Sequence, residues 1–353
     1  MKKVKLILLL IIALIIGGCS DQENIFKNNT ENLGNKVHFI DVGQGDSILV
    51  ESGGEYMLVD AGEENRGDDV VDFINSLGIN CLKYAVATHP HSDHIGGMDD
   101  VINNIDVQNL IMPDAVTTTR CFENMLDAVE NKNVNVIEAI AGNSFELGNF
   151  NCTIVGPINE SEDMNNNSVV IKLTYGEDKI LLTGDCSKAE EIDIVNSGAD
   201  ISADLLKAGH HGSSTSGAEE FIKSVNPGAA VISCGKNNEY GHPHTETMNT
   251  FNKYNIEIYR TDTMGTIIAD CSGNGISMEY GNETEMQTET VAENVYNKNY
   301  DVENTYILNT RSKKFHKPDC SSASNIKNKE EFTGSADELE SKCYSPCGIC
   351  KPE

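Results

Sequence analysis

Four potential metal ligands fall within six positions of the chain: His89, His91, Asp93 and His94. They follow Tyr84-Ala85-Val86-Ala87, an apolar run that reads as a buried strand. Imidazole and carboxylate together are the ligand set of zinc and, with more oxygen, of manganese. Positions 89, 91 and 93 alternate, so an extended backbone aims them one way. Asp93 and His94, being adjacent, diverge and can serve a second ion. Gly96-Gly97 is expected to turn the backbone tightly and start the next helix.

Other ligand types also stand after apolar runs. Asp185 follows Ile180-Leu181-Leu182 and is the carboxylate best suited to bridge two ions, and His210-His211 follow Leu205-Leu206. Strand ends meeting on one edge of a sheet are how a rigid scaffold presents a metal cluster. Gly212-Ser213-Ser214-Thr215 offers N–H and hydroxyl donors to a phosphate, or a cap for the helix after it.

The elements that must position these residues are readable in outline. β-rich runs near 37–42, 47–50 and 56–60 are punctuated by Gly43, Gly45, Gly53 and Gly54, as paired strands would be. Helical spacing of Val70, Val71, Ile74 and Leu77 predicts a helix over 68–77, stopped by Gly78. Further helices are expected over 98–105, 119–131, 188–196, 218–225 and 246–254. Strands are expected near 110, 134–137, 152–155, 203–206, 230–233, 256–259, 266–269 and 276–280, with a hairpin of 168–175 and 179–183 around Gly176-Glu177-Asp178.

The chain has 353 residues and a formal net charge of −29. That balance argues against tight nonspecific nucleic-acid binding through bulk charge, so a polyanionic substrate must be held by metals and local groups. At the start, Lys2, Lys3 and Lys5 precede eleven apolar residues from Leu6 to Ile16, then Gly17-Gly18-Cys19. This reads as a secretory leader, too short to span a membrane. Ile16-Gly17-Gly18-Cys19 resembles the bacterial lipobox, so residues 1–19 are expected to be a lipoprotein signal peptide and Cys19 the lipidated residue. The expected location is the outer face of the cytoplasmic membrane, reached through acyl chains. Residues 20–35 read as a polar tether and 282–303 as an acidic linker.

Of the eleven cysteines, Cys81, Cys121, Cys152, Cys186, Cys234 and Cys271 are scattered and read as free thiols. The last four are clustered. Cys347-x-x-Cys350 gives the tight bite of a zinc knuckle, and His316 and Cys320 can complete a Cys3His structural site. A unit of about fifty residues, 304–353, needs such a staple. A disulfide is the alternative, and Cys343 is an extra candidate ligand. Arg311, Lys313, Lys314 and Lys317 form a basic cluster, suited to a nucleic-acid contact or to a solvated loop.

Six ordered motifs carry a resemblance: 38–47 (HFIDVGQGDS), 58–62 (LVDAG), 88–97 (THPHSDHIGG), 182–185 (LTGD), 206–213 (LKAGHHGS) and 240–244 (YGHPH). Together they resemble the metallo-β-lactamase-fold domain of ComEC-type DNA-uptake proteins, over about residues 36–281. The channel of those proteins has no counterpart in these motifs. The resemblance implies an α/β fold, a four-layer αββα sandwich with metals at the rim between two sheets. It implies that His89 and His91 bind one metal, that Asp93 and His94 bind the second, and that Asp185 bridges. His211 or His210 completes the second site, with His211 favoured as ligand and His210 as a phosphate contact or proton donor. His242 and His244 match the later pair and would supply a proton to the leaving oxygen, while Asp41, Asp46 and Asp60 would buttress the ligands. One departure stands out: no histidine lies between His94 and His210, where such enzymes usually place another ligand. Asn165-Asn166-Asn167-Ser168 occupies that stretch, so the first metal is expected to be weakly held or manganese-like, and a single-metal enzyme stays open. The segment 304–353 resembles the zinc module of the DNA-repair protein Ada, with His316 in place of a cysteine.

The expected activity is metal-dependent phosphodiester hydrolysis by a metal-activated water, with Asp93 counted among the catalytic residues as well as the ligands and two divalent ions, zinc or manganese, in the site. DNA stands first as substrate. A small or cell-wall-linked phosphodiester is the alternative, then a non-catalytic nucleic-acid-binding lipoprotein. A β-lactam or thioester hydrolase comes last because of the missing histidine.

Overall fold

The computed structural model of the chain describes residues 34–281, 287–290, 304–318, 320–323, 326–334, 339, 344–347 and 349–350. Cys19 with its leader and Cys343 lie outside these residues. The chain divides into two units, Met1–Ala292 and Glu293–Glu353.

The first unit begins with β1 (Asn35–Phe39), β2 (Ile48–Ser52), β3 (Glu55–Val59), α1 (Gly67–Ser76), β4 (Cys81–Val86), α2 (Ser92–Ile95), α3 (Met98–Asn104), β5 (Asp106–Met112), α4 (Arg120–Lys132) and β6 (Asn135–Glu138). It continues with β7 (Ser144–Leu147), β8 (Phe150–Gly156), β9 (Val170–Tyr175), β10 (Asp178–Leu182), α5 (Lys188–Ser197), β11 (Leu205–Lys207), α6 (Glu219–Val225), β12 (Ala229–Ile232), α7 (Thr245–Lys253), β13 (Glu257–Arg260), α8 (Thr261–Met264), β14 (Ile267–Cys271), β15 (Ile276–Tyr280) and β16 (Gln287–Thr290). One sheet has the order β16-β15-β14-β1-β2-β3-β4-β5-β6, and the other β13-β12-β11-β10-β9-β8-β7. Each is antiparallel at one end and parallel at the other: β3 to β6 and β10 to β13 pair in parallel. Four of the residues read as linker, Gln287–Thr290, form an edge strand on β15.

Period-two alternation sorts the strands' side chains into layers. Val37, Phe39, Ile48, Val50, Met57 and Val59 meet Ile180, Leu182, Leu205 and Val231 between the sheets. Leu49, Leu58, Leu82 and Ala85 face the other way, onto the apolar stripes of α1, α3 and α4. Leu181, Leu206, Ala230 and Ile232 pack with residues of α5, α6 and α7. The result is helix, sheet, sheet, helix. Parallel strands buried on both faces need continuous apolar sequence, which is why their runs read so clearly.

The second unit is a small sheet of β17 (Asn304–Asn309), β18 (Lys314–His316), β19 (Lys329–Gly334) and β20 (Ser345–Pro346), in the order β19-β17-β18-β20. Tyr306, Leu308, Phe315 and Leu339 form one small core, and Ile307, Cys320, Ala323 and Cys347 another. Neither cluster is large enough to hold fifty residues by burial alone.

Candidate metal centre

The ligand-type residues stand on loops leaving the C-terminal ends of parallel and central strands. β3 leads to Asp60, β4 to Thr88 and His89, β10 to Asp185, and β11 to His210-His211. The loop after β1 brings Asp46 beside them, where its N–H donates to the Asp93 carbonyl at 3.1 Å. At Gly45, with φ +123°, any Cβ would collide with that carbonyl, so only glycine passes. Gly96 and Gly97 do a different job from the tight turn expected. Gly96 is αR (φ −59°) and Gly97 has φ −94°, but a Cβ would collide with the backbone of Glu64 at one and Ala61 at the other. Close packing of α2 against the loop after β3 requires them.

Four imidazoles converge on one carboxylate. His94 Nε2 lies 3.2 Å from Asp185 Oδ1, while His211, His210 and His89 place Nε2 at 3.4, 3.7 and 4.0 Å from Oδ2. In each ring the other nitrogen faces back into the protein: His89 Nδ1 to Thr88 Oγ1 (3.1 Å), His94 Nδ1 to Asp60 Oδ2 (2.7 Å), His210 Nδ1 to Thr215 Oγ1 (2.9 Å) and His211 Nδ1 to the Ser233 carbonyl (3.0 Å). These partners assign the Nδ1–H tautomer, which leaves Nε2 as the ligand atom. His91 is reversed, with Nδ1 3.0 Å from His89 Nε2. Asp93 Oδ2 lies 3.2 Å from His211 Nε2 and 3.9 Å from His94 Nε2.

The donor set fits divalent cations. Asp185 Oδ1, His94 Nε2 and His211 Nε2 are buried without a well-formed hydrogen bond, although they face one another. Burial opposes charge on His94, but Asp185, Asp60 and Asp93 outweigh it and hold the imidazole well above its ordinary range. Burial likewise opposes charge on Asp185, and His211 and His94 outweigh it, keeping the carboxyl well below. A site that so strongly favours positive charge attracts a cation in competition with protons.

Asp46, His94, Asp185 and His211 bring ligand-type atoms within 4.8 Å of one another. Asp46, however, lies 3.4 Å from His211 Nδ1, the side already donating to Ser233, and 2.8 Å from Lys207 Nζ. It orients His211, as a buttress would, and Asp93 faces the metal side. Asp60 is a second buttress: it accepts from the Thr88 N–H (2.8 Å), the Thr88 hydroxyl (2.7 Å) and His94. It holds φ +58°, a costly backbone for a non-glycine, as do His210 and His211 at +50° and +55°. Asp41 stands apart, exposed, accepting from the Gly43 N–H.

His244, expected to give a proton, has both ring nitrogens engaged: Nδ1 accepts from the Ser214 N–H (3.0 Å) and Nε2 meets the Tyr240 carbonyl (3.0 Å). It pins a loop. His242 is the ring left at the centre, 5.7 Å from His210 and 6.0 Å from His211 between centroids, with Nδ1 unpaired. Burial, and then the neighbouring His211, lower its pKa to about 4, so it is neutral at pH 7. The N–H donors of 213–215 are likewise spent within their turn, on the His210 carbonyl, His244 and Ser213 Oγ, and do not face a phosphate. Where the missing histidine would lie, Ser168 Oγ accepts from the Asp185 N–H at 3.1 Å.

Sequence reading passed over Thr88, Ser233 and Lys207. Lys207 is fully buried, paired with Asp46 and bonded to the Ala208 carbonyl at 2.9 Å. A lone lysine ending the apolar run Leu205-Leu206 was the available signal.

In the second unit, His316, Cys320, Cys347 and Cys350 also bring ligand atoms within 4.8 Å. The Cys350 and Ile349 N–H groups lower the Cys347 thiol pKa, and the Lys317 N–H points at Cys350 Sγ (3.4 Å). Cysteines 81, 121, 152, 186, 234, 271, 320, 347 and 350 are all free thiols.

Curated proteins are similar to part of the chain. The chain is 33% identical over 253 residues to ComE operon protein 3 of Bacillus subtilis, covering 66% of this chain and 32% of that protein. It is 28% identical over 239 residues to Recombination protein 2 of Haemophilus influenzae (66% and 28%) and 28% over 232 to Competence protein ComA of Neisseria gonorrhoeae (64% and 31%). The chain therefore spans about a third of the length of these relatives. Residues 40–236 match the family profile described as the metallo-beta-lactamase superfamily, and with this fold and His/Asp centre the chain belongs to that superfamily, as a relative of its ComEC-type competence proteins.

Proposed function

We propose that this chain is an exported, lipid-anchored phosphodiesterase that cleaves DNA. The observation that carries the reading is the two-sided Asp185 carboxylate, with Oδ1 turned to His94 and Oδ2 to His89, His210 and His211. A buried carboxylate with imidazole nitrogens at both oxygens can bridge two ions. His89, His91 and Asp185 would hold one divalent ion, and Asp93, His94, Asp185 and His211 the other. Such a pair lowers the pKa of a bound water and neutralises charge on both attacking and leaving oxygens of a phosphodiester.

The chain's own residues supply position and proton control. Asp60 and the Ser233 carbonyl fix His94 and His211 in one tautomer. Asp93, a quarter exposed, lies on the solvent side of the buried ligands, where it can orient the attacking water. His210, 24% exposed and held by Thr215, stands at the open side of the centre, and neutral His242 offers a ring N–H as a hydrogen bond to the leaving oxygen. The relatives' names, tied to competence and recombination, support DNA over other diesters. Export and the anchor rest on the leader and on Cys19.

The test is cleavage of plasmid and oligonucleotide by the full chain with added Mn²⁺, beside an Asp93→Ala/His94→Ala double variant. Mn²⁺-dependent cutting that the variant lacks is the expected result. Turnover of a generic small phosphodiester without DNA cutting would shift the substrate to a small or cell-wall-linked diester. Inactivity on both would sink the phosphodiesterase reading.

A further inference from the structure

A cavity of about 790 Å³, within the range of small-ligand sites, is lined in part by the loops that follow β1 and β12. Gln44 and Gly235 line it: Gln44 is two residues before Asp46, and Gly235 two after the Ser233 that fixes His211. Asn238, also on its wall, donates to the Gly235 and His242 carbonyls and accepts from the His242 N–H. The cavity and the proton-donating loop are thus one assembly.

The chemistry of its wall is selective. Gln44 Oε1 accepts from the Gly235 N–H at 3.2 Å, which fixes the amide, and its buried Nε2 has no partner. Lys236 is exposed and makes no ion pair among the described residues. Arg66 uses Nη1 on Asp69 (2.9 Å), while its Nη2 lies against Gly43 on the cavity wall. Of the acids present, Asp262 is held by two bonds from Arg260 (2.9 and 2.7 Å), while exposed Asp41 accepts from the Gly43 N–H and has no ion pair among the described residues. Met264 and Tyr280 add apolar and aromatic surface to the lining. In a chain of net charge −29, a lysine without an ion pair, the Nη2 of Arg66 and the unpartnered amide of Gln44 suit a phosphate, and Tyr280 suits a base.

We propose that this cavity binds the nucleotide flanking the cleaved bond, with Gln44, Arg66 and Lys236 holding its phosphate. The inference rests on the phosphodiesterase reading and assigns the substrate class of that site as a nucleic-acid strand rather than an isolated diester. The probe is an uncleavable phosphorothioate strand, titrated into the full chain loaded with Mn²⁺. Wild type is compared with Lys236→Ala, Arg66→Ala and Lys236→Arg, and hydrolysis of bis(p-nitrophenyl) phosphate is measured alongside oligonucleotide cleavage. Each alanine variant is expected to weaken strand binding roughly fivefold or more and to lower the salt slope by about one, with Lys236→Arg restoring both. The preference for oligonucleotide over small diester falls by a similar factor. Unchanged strand binding in the alanine variants, or equal loss on both substrates, would overturn the cavity's role. If wild type cleaves neither substrate, the phosphodiesterase reading fails, and strand binding alone still decides the cavity.

Discussion

At the scale of single residues, the centre depends on side chains that never touch a metal. Asp60 accepts three hydrogen bonds, two from Thr88 and one from His94, and so sets the direction of both β4-end ligands. Asp60→Asn keeps the volume but can offer only one oxygen. Its NH2 must then face either Thr88 or His94 Nδ1, and the His94 tautomer is no longer fixed. The expected outcome is a loss of about 10- to 100-fold in metal affinity, with the fold retained. Metal titration beside circular dichroism checks it, and affinity within twofold of wild type would remove Asp60 from the centre. The ligand types themselves were legible because they recur in dense runs after apolar strands. Their partners were not: Ser233 acts through a backbone carbonyl, and Lys207 looks like a strand-end lysine until burial is known. His242 and His244 are equivalent in sequence, and only the Ser214 and Tyr240 contacts tell them apart.

At the scale of elements, strands and helices were legible to within a few residues because buried parallel strands and amphipathic helices carry opposite periodicities. What periodicity cannot show is how the two sheets are fastened. Along one edge Asp178, at the start of β10, accepts from the Gly273 and Gly275 N–H groups in the β14–β15 turn, at 2.7 and 2.6 Å. Along the other, Asn149 donates to Ser52 Oγ (2.8 Å) and Asn35 Oδ1 (3.0 Å), joining the β7–β8 turn to β1 and β2. In sequence these are ordinary turn residues. Asp178→Ala removes two charge-assisted bonds and leaves two turn N–H groups without their acceptor. The expected cost is about 2–3 kcal/mol, read as a lower denaturation midpoint at unchanged m-value. A loss under about 0.5 kcal/mol would mean that the inter-sheet core alone fixes the sandwich.

At the scale of the whole molecule, two metal-ligand clusters of different chemistry serve two separate units. The first is oxygen- and nitrogen-rich and sits on a sandwich with three large apolar cores, so its fold does not depend on the ion. The second is one histidine and three thiols in a unit whose apolar clusters hold only a handful of residues each. A metal bound there would hold residues from 316 to 350 together and turn binding energy into folding energy. Zinc removal should therefore unfold residues 304–353 while leaving 36–281 protected from hydrogen exchange. Cys347→Ser in the full chain should do the same without a chelator, since it removes the thiol held by the Cys350 and Ile349 N–H groups. Peptide-resolved hydrogen exchange reads both units in one sample. Protection of the second unit that survives both treatments would show that its small sheet stands without the metal, and that the cysteines there serve something other than a staple.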